Sequence, residues 1–588
     1  MKGEPTPTAA KESRLQATTC DEIGKEEIEQ RIKAMRAAVD RSFKDWHDGQ
    51  PECWRQDREN YLARKEVEKA LASGLGLSGI GEGGGGIGLG SIGTLGRGAG
   101  AGIGYGYGSG SGRTPSIRMA QTTMGRAAPA KAASASGTNN QVASVDEADI
   151  VKTDGRYVYL ASNGALRIVE AMNPRVVSVT KVQGTARELF VEGDRAILYA
   201  SSGNAPRRCT YGYDCTFGGD GSTTKIIVFD VTDRSAPKVV REIDATGSLI
   251  AARRIGNTIH TVVADGDSPT PAFPTWPGDL RMCGTEESKV RARFAKLKAD
   301  NEAKLRQNPL HIPTLKEHGA EQKMCARLMR TAFRDGQAFT SVVSFDLTND
   351  TAAPTTATVQ SRPGAVFASD TGLYLSVIHR KQQTNGRWYS YYPSVDEVSE
   401  IHKFAVGSTP SATKYVGSGT VPGHVLNQFA MDEWNGYLRI ATTRGKVPDP
   451  KVSSVVSILA EVDGSLVRVG AIENIAPGED IRAVRFDDDR GYVVTFKKTD
   501  PLFVMDLYDV QTPRVLGELK IPGFSTYIHR IDPEHLLSIG FDADDKGSFA
   551  YFDGVILQLF DVKNPTDPRL VHKEKIGTRG SSSEAATN

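Results

Sequence analysis

The stretch VDEADIVKTDGRYVY, residues 145–159, decides the fold of this chain of 588 residues. A run over 149–153 meets Asp154-Gly155 and continues as a second run, over 156–161, in which apolar and polar residues alternate. An Asp-Gly pair between two such runs predicts a tight β-hairpin, because both turn residues must tolerate positive φ. The pattern recurs seven times up to Gly577, which predicts a repeat protein.

Each repeat has an entry strand, a hairpin to a second strand, a third strand with a Phe-Asp-Val-like end, and a fourth strand after a turn. The third strands begin at Leu166, Ile226, Val342, Ile401, Val455, Phe503 and Ile556. The aspartate of the third strand is expected to accept backbone hydrogen bonds in the turn that follows. One twisted sheet cannot bury both faces alone, whereas sheets stacked radially can. The spacing therefore predicts an all-β fold, a seven-bladed β-propeller.

The residues outside the repeats differ from them in composition. Apolar spacing predicts a helix over 23–43 and a second helix over 58–72, followed by a block over 74–112 in which glycine is too frequent to order. The predicted parts are a disordered tail (1–14), a helical segment (15–72), a flexible linker (73–140), the propeller (141–577) and a disordered tail (578–588). We interpret the helical segment as a small hairpin packed on the main domain; the alternative is an arm that binds a partner.

One connection inside the propeller, residues 265–337, is long enough to be an insertion. Its apolar stripe consists of Val290, Phe294, Leu297 and Leu305. This spacing predicts a helix, and a return helix is expected from Cys325, so the insert would form a helical cap on one face. The basic side of the first helix is interpreted as a solvated face, with contact to an anionic partner as the alternative.

Six cysteines fall into three pairs of neighbours in sequence. The pairs are Cys20 with Cys53, Cys209 with Cys215, and Cys283 with Cys325. An even number in local pairs predicts three disulfides and an oxidising compartment. The alternative is six unpaired cysteines in a cytosolic protein.

Charge and hydropathy exclude several classes of protein. The 72 basic and 71 acidic residues almost cancel, so no overall field favours nucleic acid or an anionic membrane. No apolar run is long enough for a transmembrane helix, and residues 1–20 lack the apolar core of a signal peptide. If the disulfides form, we therefore expect the chain to be a mature or trimmed form of an exported protein.

One acidic loop resembles a calcium-binding loop. Asp542, Asp544, Gly547 and Asp553 match positions 1, 3, 6 and 12 of such a loop, but Lys546 occupies position 5 and cannot bind the metal. We interpret this segment as an acidic hairpin loop without a metal; the alternative is a calcium site with Asp542, Asp544 and Asp553 as ligands. No other cofactor is predicted.

Several long strings resemble one known family. They are QVASVDEADIVKTDGRYVYL (141–160), LNQFAMDEWNGYLRIATT (426–443), GEDIRAVRFDDDRGYVVTFKKTDPLFVMDLYD (478–509) and GELKIPGFSTYIH (517–529). The chain resembles bacterial and archaeal secreted proteins with a C-terminal β-propeller distantly related to WD-40 repeats. The resemblance implies an extracytoplasmic setting. It supplies no established activity and no catalytic residues.

No nucleophile elbow, metalloprotease motif or phosphate-binding loop occurs in the sequence. We therefore predict a monomeric, non-enzymatic, extracytoplasmic propeller that binds a protein or cell-envelope partner through one face, without nucleic acid. The alternative is a hydrolase or lyase whose active site lies in the central channel and is assembled from different blades.

Overall fold

The computed structural model describes residues 16–72 and 140–585. Gaps within these ranges are 204–216, 218, 267–271, 282, 326, 332–337, 381–396, 448, 497–499, 522, 546–549, 582 and 584. Contacts divide the chain into two units. We call residues 1–31, 129–272 and 305–588 the sheet unit, and residues 32–128 and 273–304 the helical unit.

Strands make up most of the described chain, as predicted for a mostly β protein. In chain order they are β1 (Gln16–Thr18), β2 (Asp146–Glu147), β3 (Val151–Thr153), β4 (Tyr157–Ser162), β5 (Ala165–Glu170), β6 (Arg175–Lys181), β7 (Thr185–Glu192), β8 (Arg195–Ser202), β9 (Thr223–Asp230), β10 (Lys238–Ala245), β11 (Ser248–Ile255), β12 (Thr258–Asp265), β13 (Thr314–Glu317), β14 (Ala320–Lys323), β15 (Leu328–Arg330), β16 (Phe339–Asp346), β17 (Thr355–Gln360), β18 (Ala365–Ala368), β19 (Gly372–Arg380), β20 (Glu397–Ala405), β21 (Lys414–Pro422), β22 (Met431–Trp434), β23 (Tyr437–Arg444), β24 (Ser453–Val462), β25 (Ser465–Ile475), β26 (Asp480–Asp487), β27 (Arg490–Phe496), β28 (Asp500–Asp506), β29 (Arg514–Ile521), β30 (Phe524–Asp532), β31 (His535–Asp545), β32 (Ala550–Asp561) and β33 (Arg569–Ile576). The helices are α1 (Cys20–Ala72) and α2 (Glu287–Gln307), with short 3-10 helices at Pro410–Ala412 and Gln428–Ala430.

These strands pair as successive four-stranded antiparallel meanders, which we number 1 to 7 in chain order. They are β3–β6, β7–β10, β11 with β12, β16 and β17, β18–β21, β22–β25, β26–β29, and β30–β33. Meanders 4 and 5 share one eight-stranded sheet, because Ser418 and Ser465 form a single parallel pair. Helix α2 and the hairpin β13–β14 both lie in the connection between β12 and β16.

Local turn chemistry explains how the meanders form. Asp154 Oδ1 accepts hydrogen bonds from the backbone N–H groups of Arg156 and Tyr157, at 2.8 and 2.7 Å, and Gly155 has φ of 83°. These contacts form the turn between β3 and β4 that the Asp-Gly pair predicts. The aspartates that end four of the third strands each accept the backbone N–H two residues later. These pairs are Asp230 with Thr232, Asp346 with Thr348, Asp506 with Tyr508, and Asp561 with Lys563.

The core lies between neighbouring meanders. Residues of β12 and β16 are buried on both faces of the sheet, since meander 3 packs against neighbours on either side. Tyr159 of meander 1 and Phe229 of meander 2, for example, belong to one buried cluster. Fourth strands such as β33 remain largely exposed. This is the burial pattern expected when twisted sheets stack face to face.

The N-terminal part of the sheet unit extends meander 3. Strand β15 pairs in parallel with β17, and β1 pairs with β15 in turn. A disulfide joins Cys20 to Cys325, with a Cα–Cα distance of 5.7 Å. It fixes the start of α1 to the edge of this sheet.

This disulfide corrects two predicted pairings, Cys20 with Cys53 and Cys283 with Cys325. Cys20 and Cys53 stand 33 residues apart (53 minus 20) on one continuous helix, which corresponds to about 50 Å at about 1.5 Å per residue. The two predicted N-terminal helices are thus one helix, which continues through Pro51. Cys283 is also disulfide-bonded. Cys209 and Cys215, like the side chain of Cys53, lie outside the described residues.

The insertion matches its prediction only in part. Helix α2 confirms the predicted helix, and Val290 and Phe294 are buried. The predicted return helix is wrong: Leu328–Arg330 forms strand β15 instead, because β17 offers an edge with unpaired backbone groups.

In the helical unit, aromatic rings hold α1 against α2. The Phe43 ring meets the Phe294 ring at 5.4 Å between centroids, and Trp276 contacts Phe294 at 5.6 Å. The basic side chains of α2 make ion pairs with acidic neighbours. Examples are Lys289 with Glu286, Arg291 with Glu287, Arg293 with Asp279, and Lys298 with Asp40. These pairs favour the solvated face over a free anion-binding surface.

Candidate functional site

Residues 140–149, which we call the axial segment, lie along the first strands of several meanders. First strands face the central axis in a propeller. Strand β2 of the axial segment pairs with β11, opposite Arg253 and Arg254, and Asp149 forms a β-bridge with Leu189 on β7. Asp146, Glu147 and Asp149, from the stretch that decides the fold, therefore lie against the first strands of meanders 2 and 3.

The axial segment also reaches meander 5. The Gln141 side-chain amide donates hydrogen bonds to the backbone carbonyls of Gln428 and Met431, at 3.2 and 2.8 Å. Val145 is 1% exposed and packs in the core of meander 3. These contacts come from meanders 2, 3 and 5. The axial segment therefore covers part of the surface of the first strands, which a ligand could reach if the central channel were open.

Charged groups of the axial segment join a network, which we call the inner polar cluster. Its members are Asp146, Glu147, Asp149, Lys152, Glu188, Arg253, Arg254 and Gln428. Lys152 Nζ lies 2.7 Å from Asp146 Oδ1, and Arg254 pairs with the same carboxylate at 3.3 Å. Gln428 accepts from Arg253 at 2.6 Å and donates to Glu147 at 3.0 Å. Meanders 1, 2 and 3, the axial segment and the 3-10 helix that precedes meander 5 supply these side chains.

Glu188, on β7, is the member of the inner polar cluster whose carboxyl has a raised pKa. Its side chain is half-buried, and its carboxyl has no hydrogen bond or ion pair with any residue in the described ranges. Burial raises the pKa of Glu188 to about 7; Arg253 opposes this rise, whereas Asp149 and Glu147 add to it. A carboxyl that exchanges its proton near neutral pH can act as a general acid or base.

Sequence reasoning missed Glu188. No motif surrounds it, since TARELFVE reads as an ordinary strand. The available signal is a charged residue beside Leu189 and Phe190 in the first strand of a repeat. That signal is weak, because the environment of Glu188 comes from other meanders.

The long connections share one end of the sheets. In an antiparallel meander strands 1 and 3 run in the same direction, so the 1–2 and 3–4 turns emerge at one end and the 2–3 connections at the other. We call these the hairpin end and the loop end. The connections over 203–222, 266–338 and 381–396 all join second to third strands, in meanders 2, 3 and 4. Strands β8, β12 and β19 therefore end at the loop end of meanders 2, 3 and 4, and β9, β16 and β20 begin there.

Comparison with known proteins agrees with this architecture. The model of a family described as a beta propeller domain matches residues 135–588. The chain belongs to the beta propeller domain family.

Two relatives of this beta propeller protein are uncharacterised archaeal proteins. One, from Methanocaldococcus jannaschii, is 27% identical over 489 residues, which is 75% of this chain and 69% of that protein. The other, from Archaeoglobus fulgidus, is 40% identical over 183 residues, which is 31% of this chain and 26% of that protein. Among solved structures, the computationally designed Ika8 protein matches with 9% identity and a TM-score of 0.32, over 76% of this chain and 91% of that one.

The candidate calcium site of the propeller is only partly described. Asp542 lies on β31, where its carboxylate is 2.6 Å from Lys573 Nζ and 3.5 Å from Lys575 Nζ. The side chains of Asp544 and Asp553 lie outside the described residues. Within those residues, no group of three or more His, Cys, Asp or Glu side chains could hold a metal ion. Calcium binding here stays an untested alternative, and the two lysines would compete with the metal for Asp542.

A buried cluster of ionisable groups lies in meander 4. His379 and His402 both place Nε2 close to Oε2 of the fully buried Glu400, at 3.4 and 3.6 Å. His402 Nδ1 lies 3.0 Å from the Tyr415 hydroxyl, and burial lowers the pKa of His402 although Glu400 opposes this. Because Glu400 and His402 have no accessible surface, we interpret the cluster as part of the core.

Proposed function

We propose that this protein is a monomeric, extracytoplasmic, seven-bladed propeller that binds a protein or cell-envelope partner through its loop end. The carrying observation is that three long connections, over 203–222, 266–338 and 381–396, emerge at the same end of meanders 2, 3 and 4. Binding residues concentrate on loops that a rigid scaffold positions. The opposite end has mostly tight turns of two to five residues between strands.

Cysteine usage supports the proposed compartment. Cys20 and Cys325 form a disulfide, and Cys283 is disulfide-bonded as well. Disulfides persist in oxidising compartments and are rare in the cytosol. No helix among the described residues is long and apolar enough to cross a membrane.

The test replaces two loops in the full chain by glycine-serine linkers of equal length, residues 204–216 in one variant and 381–396 in the other. The flanking strands should keep their register, because Ser202 pairs with Thr223 and Arg380 pairs with Glu397. Each variant and the original protein would capture partners from envelope extract, and the captured partner would be purified and its affinity measured directly. We expect at least a tenfold loss of affinity in one or both variants.

A matched control replaces residues 509–511, a turn at the hairpin end, by glycine and serine. This control should bind as the original protein does. Equal affinity of the original and both loop variants for the purified partner, with unchanged melting temperatures, would refute binding through the loop end.

The inner polar cluster favours a second candidate function, a hydrolase or lyase. Glu188 combines a pKa of about 7 with cationic groups, Lys152 and Arg253, that come from other meanders. In that role Glu188 would transfer a proton, and the cations would stabilise negative charge on the substrate. Screening hydrolase and lyase substrates with the original protein and Glu188→Gln tests this candidate, which predicts an activity that the variant loses by about a hundredfold or more.

A further inference from the structure

Burial along the central strands distinguishes meanders 1 and 7 from the other meanders. In meanders 2 to 6 the second and third strands each contain at least four consecutive buried residues, so both faces of these sheets are covered. In β4, β5 and the described parts of β31 and β32, buried and half-buried residues instead alternate along much of each strand. Because successive residues of a strand point to opposite faces, one face of meander 1 and one face of meander 7 are only partly covered.

The partly covered face of meander 1 is mainly apolar. Val158 on β4 lies opposite Val169 on β5, and both are half-buried. Leu160 lies opposite Arg167 on the same face. Tyr159 points to the other face, where it belongs to the buried cluster that meander 1 shares with meander 2. The partly covered face is therefore the one that points away from meander 2.

Meander 7 has a similar face on its side toward meander 1. Leu537 on β31 lies opposite Leu559 on β32, and Ile539 lies opposite Leu557. All four side chains are half-buried. Leu536, on the other face, belongs to the buried cluster that meander 7 shares with meander 6. The two partly covered faces thus meet between meanders 7 and 1, at what we call the closing junction.

Backbone pairing does not hold the closing junction together. The sheet of meander 1 consists of β3–β6 alone, and that of meander 7 consists of β30–β33 alone. Neither sheet therefore takes a strand from the other end of the chain. Among the described residues, the buried cluster of meander 1 extends only to meander 2, and that of meander 7 extends only to meander 6.

A contact that recurs at other junctions does not form at the closing junction. At four junctions the fourth residue of a fourth strand contacts the 3–4 turn of the next meander. These contacts are Ser178 Oγ with the Arg234 carbonyl at 2.7 Å, Arg241 with the Asn349 and Ala352 carbonyls, and the close approaches of Gly417 to the Gly464 carbonyl and of Gly517 to the Pro565 carbonyl. The equivalent residue of meander 7 is His572, whose side chain is 69% exposed. Met172, in the 3–4 turn of meander 1, is 57% exposed as well.

We infer that the ring of meanders opens and closes at the closing junction. On closure the partly covered face of meander 1 packs on that of meander 7, because burial of apolar surface favours this contact. Neighbouring meanders pack in this way elsewhere, for example in the buried cluster of meanders 4, 5 and 6. On opening, β3 and β30 move apart, which gives solvent a lateral route to the inner polar cluster through Lys152 on β3. This movement is separate from the proposed loop-end function.

Thiol labelling of the full chain tests whether the closing junction opens. Leu160→Cys and Leu559→Cys each place one thiol on a partly covered face, and the original protein serves as the blank. Ala161→Cys and Ser538→Cys are the matched controls, because these residues lie on the covered faces of the same meanders, at 3% and 0% exposure. We expect a polar maleimide to label Leu160→Cys and Leu559→Cys about tenfold faster than the two controls.

Disulfide trapping tests whether the closing junction closes. Met172→Cys combined with His572→Cys can form a disulfide only when the fourth strand of meander 7 reaches the 3–4 turn of meander 1, since the two Cα atoms must lie about 4.4–6.8 Å apart. Ser178→Cys combined with Arg234→Cys, at the junction of meanders 1 and 2, is the matched control. Under mild oxidation we expect both disulfides to form, and the one at the closing junction to form more slowly.

Three results would overturn the inference. Equal labelling rates of the four single-cysteine variants would show that the closing junction does not open. No disulfide between residues 172 and 572, while the control disulfide forms, would show that it does not close. A disulfide between residues 172 and 572 that forms as fast as the control would show a junction that stays closed. Neither measurement uses a binding partner, so failure of this inference and failure of the loop-end proposal are distinguishable.

Discussion

Substitution of Glu188 by glutamine should change how the stability of this protein depends on pH. The pKa of Glu188 is about 7 in the folded protein, against an ordinary value of 4.5. Above pH 4.5 the unfolded chain loses this proton, whereas the folded chain keeps it up to about pH 7. The free energy of unfolding that Glu188 contributes therefore falls as pH rises across this window.

The magnitude follows from the same two values. Each unit of pKa difference corresponds to about 1.36 kcal/mol, so the rise in pKa from 4.5 to about 7 would change the free energy of unfolding by about 3.4 kcal/mol if the side chain were fully buried. The side chain is only half-buried, and water screens part of the effect, so we expect about 2–3 kcal/mol. Glutamine cannot ionise, and Glu188→Gln should gain stability relative to the original protein by this amount between pH 4.5 and pH 8.

Urea unfolding followed by circular dichroism, at intervals from pH 4.5 to pH 8.5, measures the difference between the two proteins. Groups such as His260, whose pKa burial lowers to about 4, titrate in both proteins and cancel. Glu192→Gln, which removes an exposed carboxylate of the same strand paired with Arg254, is the matched control. A difference between Glu188→Gln and the original protein that stays constant with pH, or that falls as pH rises, would refute the reasoning.

Two further predictions concern stability. Arg241 is buried and donates to Glu317 at 2.6 Å and to the carbonyls of Asn349 and Ala352, so Arg241→Met should cost about 3–5 kcal/mol in urea unfolding; a cost below 1 kcal/mol would show that these contacts are dispensable. Replacing Cys20 and Cys325 together by serine should release β1 and the start of α1 from the edge of meander 3, at a cost of about 2–4 kcal/mol. Hydrogen exchange should then rise at residues 16–31 while meander 6 stays protected, and unchanged exchange there would contradict this role of the disulfide.

Local patterns were the reliable part of the prediction from sequence. The Asp-Gly hairpin and the aspartate turns at the ends of the third strands form as expected, since each depends on residues within about four positions. Helix α2 was predicted for the same reason, because its apolar stripe is a property of one short segment. The mostly β character and the repeated four-stranded unit followed from these local signals.

Disulfide pairing shows where such reasoning fails. The prediction pairs cysteines that are neighbours in sequence. Cys20 and Cys53, however, lie on one continuous helix, and Cys20 forms its disulfide with Cys325, 305 residues away. A helix separates its residues by a fixed rise, so nearness in sequence did not mean nearness in space.

The sequence by itself determined the strands and turns of the four-stranded repeats and helix α2, because hydrophobic period and turn chemistry act over a few residues. Only the tertiary structure decided the surroundings of Glu188 and the partner of Cys20. Each of these depends on side chains from different meanders or from distant segments. Burial, charge and ring contact are set by what the stacked sheets bring together, and no local pattern encodes that.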